Sequence, residues 1–161
     1  MTGTARRRRP SSEASVFALR ANCLAALTML VVESSPGVAV SVAVRWPLPG
    51  VARGLPAQLV ALFTRGPIPL ALHAALGVLL LASATAALVR SVSLGHPRPV
   101  VLATLGIVAT GAAAAFGAGT LGGAGDAASI AMASSGGLAI LAYAVLLFLL
   151  PAAGRAPVRG G

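Results

Sequence analysis

A chain of 161 residues with a mean hydropathy of +0.92 and only 9% charged residues has too few polar side chains to coat a water-soluble domain. Its formal charge of +9 comes entirely from arginine, since all twelve basic residues are Arg. These cluster outside the apolar runs with no aromatic platform among them, so they read as interfacial charge orienting a membrane protein and exclude a nucleic-acid surface.

Residues 1–15 carry Arg6, Arg7, Arg8 and Arg9 followed by Pro10 and two serines, the composition of a disordered cytoplasmic tail. A secretory signal peptide also opens with basic and apolar segments. Here the apolar run closes on Glu33, Ser34, Ser35 and Pro36, and three further spans follow. Pro10, Ser11 and Ser12 likewise stand where a twin-arginine export signal needs apolar residues.

The first span is the shortest, because only Ala21 to Val32 is free of charge. Placing it at about 16–34 lets Arg20 snorkel to the headgroups and Glu33 reach the opposite interface, with Ser34, Ser35, Pro36 and Gly37 as a turn. Cys23, the single cysteine, reads as a small packing residue. The loop from Ser34 to Arg65 holds Trp46, suited to the interfacial belt. Leu55, Leu59, Leu62 and Phe63 recur there at helical spacing, which predicts a short helix on the outer membrane surface.

Three uncharged stretches follow, each long enough to cross about 30 Å of hydrocarbon. The second span is predicted at about 67–89 and contains His73 and Gly77. The link from Arg90 to Arg98 carries Gly95, His96 and Pro97, which should break a helix. The third span is predicted at 99–118, ending in a glycine-rich turn from Gly117 to Gly125. The fourth, at 127–150, is introduced by Asp126 as an N-cap. Residues 152–161 form a second cytoplasmic tail. Residues 16–151 thus make one membrane domain, an all-α antiparallel four-helix transmembrane bundle with a short interfacial helix in its first outer loop. Nine arginines on one face against three on the other place both termini in the cytoplasm of a bacterial cell, in a multi-pass inner-membrane protein.

Small residues supply the packing surfaces that helices need in lipid. Gly106 with Thr110 and Gly111 with Ala115 mark the third span, Ser129, Ala133 and Gly137 the fourth, and His73 with Gly77 the second. No Ser-His-Asp set, HExxH, paired cysteines or phosphate loop appears, and no carboxylate falls deep in a predicted span, which points away from an enzyme and from a proton pump.

His73 is the one ionisable side chain well inside a predicted span. Two uses are open to it: a hydrogen bond to a hydroxyl such as Ser129, Ser134 or Ser135, or axial ligation of haem b, which four-helix bundles hold. Met132 lies at a similar depth and could supply a second ligand, whereas His96 is on the wrong side. The run from His73 to Gly77, and that from Asp126 to Ala133, resemble a group of small uncharacterised four-span membrane proteins of actinobacteria, over most of Leu19 to Leu150. The chain is also distantly similar to families with a histidine-alanine-x-leucine-glycine motif in helix two, some suspected of binding haem. Where those carry a histidine opening helix four, this chain reads Met132, Ala133, Ser134, Ser135 and Gly136. The leading expectation is a non-enzymatic membrane protein without a cofactor or metal, associating in the bilayer with itself or with another membrane protein. Alternatives are a b-type haem or quinone-linked electron-transfer subunit using His73, and a small oligomeric transporter.

Overall fold

The computed structural model describes residues 12–43, 55–121 and 125–151. The predicted tails lie almost wholly outside the described residues, as does Trp46. Five helices appear: α1 (Ser12–Ala43), α2 (Leu55–Arg65), α3 (Ile68–Leu94), α4 (Pro97–Leu121) and α5 (Gly125–Leu149). Among the described residues there is no strand. Four helices have the length and composition to cross a membrane, over Ala14–Ser34, Ile68–Leu94, Pro97–Thr120 and Gly125–Leu149. The chain is a multi-pass membrane protein built as an all-α four-helix bundle.

Each long helix has two principal neighbours, in the ring order α1, α3, α4, α5 and back to α1. Side-chain spacing explains the seams. Leu19, Cys23, Ala26 and Leu30 are the buried residues of α1, and Leu80, Ala84, Ala87 and Ser91 those of the matching stretch of α3. Both sets advance by alternating four and three residues, the stripe that keeps two helices in contact along a left-handed seam. The packing role expected of Cys23 fits its complete burial. Three of these eight residues are alanine, and small residues of this kind let helices pack by dispersion where lipid provides no hydrophobic drive.

On the other side of the ring, Gly106 admits the ring of Tyr143, and a Cβ there would lie 2.6 Å from its Cζ. About three turns further along both helices Gly117 meets Met132 in the same way, with Sδ 3.1 Å from the Cβ position. The pairing of α4 with α5 is therefore antiparallel. Thr110, on the turn after Gly106, is buried and donates its hydroxyl to the Gly106 carbonyl at 2.8 Å.

Several boundaries differ from the sequence expectation. The turn expected at Ser34 to Gly37 is helical, as are residues 38–43. Pro36 cannot donate to the carbonyl four residues back, yet the helix passes it, and Ser34 donates to Val31 O at 2.6 Å in the adjoining turn. Arg90, expected in a link, lies a turn inside α3. The actual break is Gly95, in the left-handed region at φ 71°, whose N–H caps Val92 O at 3.0 Å. Pro97 then opens α4, because a first-turn proline sacrifices no intrahelical bond. The glycine-rich segment stays helical through Leu121, held at Gly117 by its contact with Met132. Asp126 falls within the first turn of α5 instead of capping it, where it still meets the positive end of the dipole. The short helix predicted after Leu55 is α2, which turns Leu62 inward beside α3.

Candidate functional site

Among the described residues, the charged and histidine side chains that lie between the helices stand at the two ends of the bundle. At the end that holds Arg20, Arg90 and Arg98, the guanidinium of Arg90 reaches across to α1, with Nη1 2.8 Å from Ala18 O and 2.7 Å from Asn22 Oδ1. Arg20 reaches the opposite way, its Nη1 donating to Leu150 O at 2.8 Å and Pro151 O at 3.1 Å. Those carbonyls belong to the C-terminal end of α5, where acceptors lack intrahelical donors and the dipole is negative. Arg20 thus caps a neighbouring helix.

At the far end lies the one described ion-pair contact. His73 Nδ1 is 3.6 Å from Glu33 Oε1, with side chains only 24% and 14% exposed. His73 sits five residues into α3, about 7.5 Å along its axis. Glu33 lies on α1 at the last turn of the apolar window Ala14–Ser34. The same carboxylate oxygen stands 3.2 Å from the position of a Cβ on Gly77, so the glycine makes the room that the carboxylate occupies. His73 and Gly77, expected to form a packing face, instead hold a carboxylate. The partner of His73 is therefore not a serine hydroxyl of α5. That helix occupies the opposite corner of the ring from α3, and its Ser129 and Ser134 are exposed. Glu33, expected at the outer interface, points into the α1–α3 seam.

The sequence held the signal for this pair. Glu33 is the next position of the stripe 19, 23, 26, 30, and His73 and Gly77 precede 80, 84, 87 and 91 in the same alternation of four and three. Two heptad stripes that pair along their length must bring their terminal residues together. What was missing was the knowledge that α1 pairs with α3.

Chemically the pair can hold or exchange a proton near one membrane face. His73 Nδ1 lies beyond hydrogen-bond range of Glu33 and is a buried atom without a hydrogen-bond partner, like Asn22 Nδ2 and Tyr143 Oη. Haem ligation by His73 and Met132 together does not fit this geometry: His73 faces α1, Met132 Sδ rests against Gly117 on α4, and the two side chains do not converge. No cluster of three or more His, Cys, Asp or Glu side chains exists among the described residues.

The small residues divide into two groups. Gly106 and Gly117 lie against side chains of α5, as described. Ser129, Ala133 and Gly137, expected to pack inside the bundle, are exposed on α5, whose buried face is Ala128, Ala139, Ala142, Tyr143 and Leu146. Gly111, Gly136 and Gly137 have nothing within 4 Å of a Cβ position, and Ala115 is exposed. Comparison with protein-family models, with curated proteins and with solved structures finds no match to this chain.

Proposed function

We propose that this protein acts by lateral association in the bilayer, as a non-enzymatic component that binds a second copy of itself through the outer face of α5. The observation that carries the reading is the outward stripe of Ser129, Ala133 and Gly137, which serves no contact inside the bundle. In lipid, such a stripe is where another helix can approach to backbone distance.

The test uses a Cys23→Ala background, so that the introduced thiol is the sole one. Ala133→Cys should form disulfide dimers in oxidised native membranes, whereas Val89→Cys, also exposed but on α3, should not. Adding Gly137→Leu should abolish the dimer without lowering the thermal stability of the bundle. A chain that stays monomeric by single-molecule photobleaching and gives no Ala133→Cys dimer would refute the proposal.

A second reading, a small transporter, is favoured by the Glu33–His73 pair, which supplies an ionisable group within the bundle. It is the weaker reading, because among the described residues no chain of ionisable groups continues from the pair to the arginine-rich end. Proton flux into dye-loaded proteoliposomes that disappears in Glu33→Gln would establish it.

A further inference from the structure

An open groove of about 620 Å³ runs along the α1–α5 seam at the arginine-rich end, lined by Arg20 and by Leu27, Ala144, Leu147, Phe148 and Pro151 among others. Its chemistry changes along its length. Arg20 and Pro151 stand at the end of the bundle. Leu27 and Ala144 lie about two turns deeper, Leu27 seven residues beyond Arg20 on the same helix face. A cation at the membrane surface above an apolar trough parallel to the helix axes is the complement of one lipid molecule.

Three observations favour an occupant with an anionic headgroup. Arg20 is fixed in place, because its Nη1 is held by the Leu150 and Pro151 carbonyls. A guanidinium has five N–H donors in a rigid fork, so Nε and Nη2 can present a bidentate face to a phosphate while Nη1 caps the helix. The chain also concentrates nine of its twelve arginines toward this end, by sequence position, against the single carboxylate of Glu13. An arginine close to an anionic membrane surface contributes about 1 kcal/mol of attraction. Apart from Arg20 the lining side chains are all apolar, and Phe148, 87% exposed, offers its ring to whatever lies alongside.

We propose that this groove binds one anionic phospholipid, its phosphate on Arg20 and an acyl chain along Leu27, Ala144, Leu147 and Phe148. Ala144 lies seven residues beyond Gly137, so the site continues the face of α5 that carries the small-residue stripe, about two turns nearer the arginine-rich end.

The test is lipid retention by the full-length protein, purified in detergent and examined by native mass spectrometry with phosphatidylglycerol or phosphatidylcholine of identical acyl chains. One phosphatidylglycerol should remain bound, at a titrant concentration at least tenfold below that needed for phosphatidylcholine. Glycerol phosphate, the headgroup without its tails, should show no binding at the same concentration. Arg20→Gln should lose the preference. Because that change also removes the cap on α5, Ala144→Phe provides an independent arm: it obstructs the trough from an exposed position, leaves Arg20 intact, and should weaken phosphatidylglycerol at least tenfold. Equal retention of the two lipids by the wild type would overturn the proposal. So would undiminished phosphatidylglycerol binding in Ala144→Phe, and glycerol phosphate binding as well as the lipid would show that no chain is seated.

Discussion

Replacing Glu33 and His73 by leucine, singly and together, measures what the far-end pair contributes. At the observed 3.6 Å, two unit charges attract by about 4–5 kcal/mol at an effective dielectric of about 20. Removing both groups from water offsets most of that gain, so the intact pair contributes little net stability. A single replacement is different, because it strands the surviving partner in an apolar seam. Glu33→Leu leaves a half-buried imidazole without the carboxylate beside it, and His73→Leu leaves a carboxyl wedged beside Gly77. Each should cost about 3 kcal/mol. The double variant strands nothing and should return to within about 1 kcal/mol of the wild type, giving a strongly non-additive cycle. Glu33→Gln should cost less than Glu33→Leu, since its amide can donate to a neutral Nδ1.

The pH dependence follows from counting protons. With one proton between them the two groups are either an ion pair or a neutral pair, and neither form leaves a lone charge. A second proton leaves an imidazolium facing a neutral acid, and loss of the only proton leaves a carboxylate facing a neutral imidazole. Each exposes an unpaired charge to the apolar seam, so stability should pass through a maximum and fall on both the acid and the alkaline side. The assay is unfolding in mild detergent by titration with SDS, followed by circular dichroism, for all four chains across pH. Additive single costs, or a pH profile that persists unchanged in the double variant, would refute the reasoning.

Gly106→Ala should destabilise the bundle by about 1–2 kcal/mol in the same assay: the new methyl meets the fully buried Tyr143 ring, and overpacking outweighs the helix-propensity gain of about 1 kcal/mol. Gly111→Ala, with open space at its Cβ position, should be neutral or slightly stabilising, and equal effects at the two positions would contradict the described α4–α5 seam. Arg90→Met should cost about 2–3 kcal/mol through loss of its bonds to Ala18 O and Asn22 Oδ1, whereas exposed Arg98→Met should stay within about 0.5 kcal/mol of the wild type.

The spans were legible because hydrocarbon thickness sets a length that uncharged runs either meet or miss, and three runs here meet it outright. The packing of Cys23 and the Gly106 to Thr110 turn were legible for a related reason, since small residues at helical spacing define a face without reference to its partner. Glu33 was misplaced because its depth was inferred from its distance to the last apolar residue, and depth does not specify direction. Direction came from the stripe it shares with Leu19, Cys23, Ala26 and Leu30. Arg20 reads as a snorkelling cation with lipid around it, but helix-end carbonyls of α5 lie within its reach; Arg90 reads as part of a link, but it lies inside α3 and reaches Ala18 O on α1. Pro36 reads as a breaker only if the helix has no reason to continue, and α1 continues past it to Ala43.

The two groups of small residues on α4 and α5 carry different explanations, and the difference is what gives the association reading its content. Ala103, Gly106, Ala109, Ala128, Ala139 and Ala142 are small because a neighbouring helix lies against them, and the bundle accounts for each. Nothing in the bundle accounts for Gly136 and Gly137 together. Two adjacent glycines in the interior of a helix cost about 2 kcal/mol of helix propensity relative to alanine, and a Cβ at either position would meet nothing within 4 Å. A monomer surrounded by lipid recovers none of that cost, because lipid packs as well against leucine as against glycine. A second helix at backbone distance does recover it, through dispersion contacts that only a surface without side chains permits. Gly136→Ala and Gly137→Ala should therefore stabilise the monomer in detergent while weakening the dimer in membranes, a pair of opposite signs that a merely permissive surface would not produce.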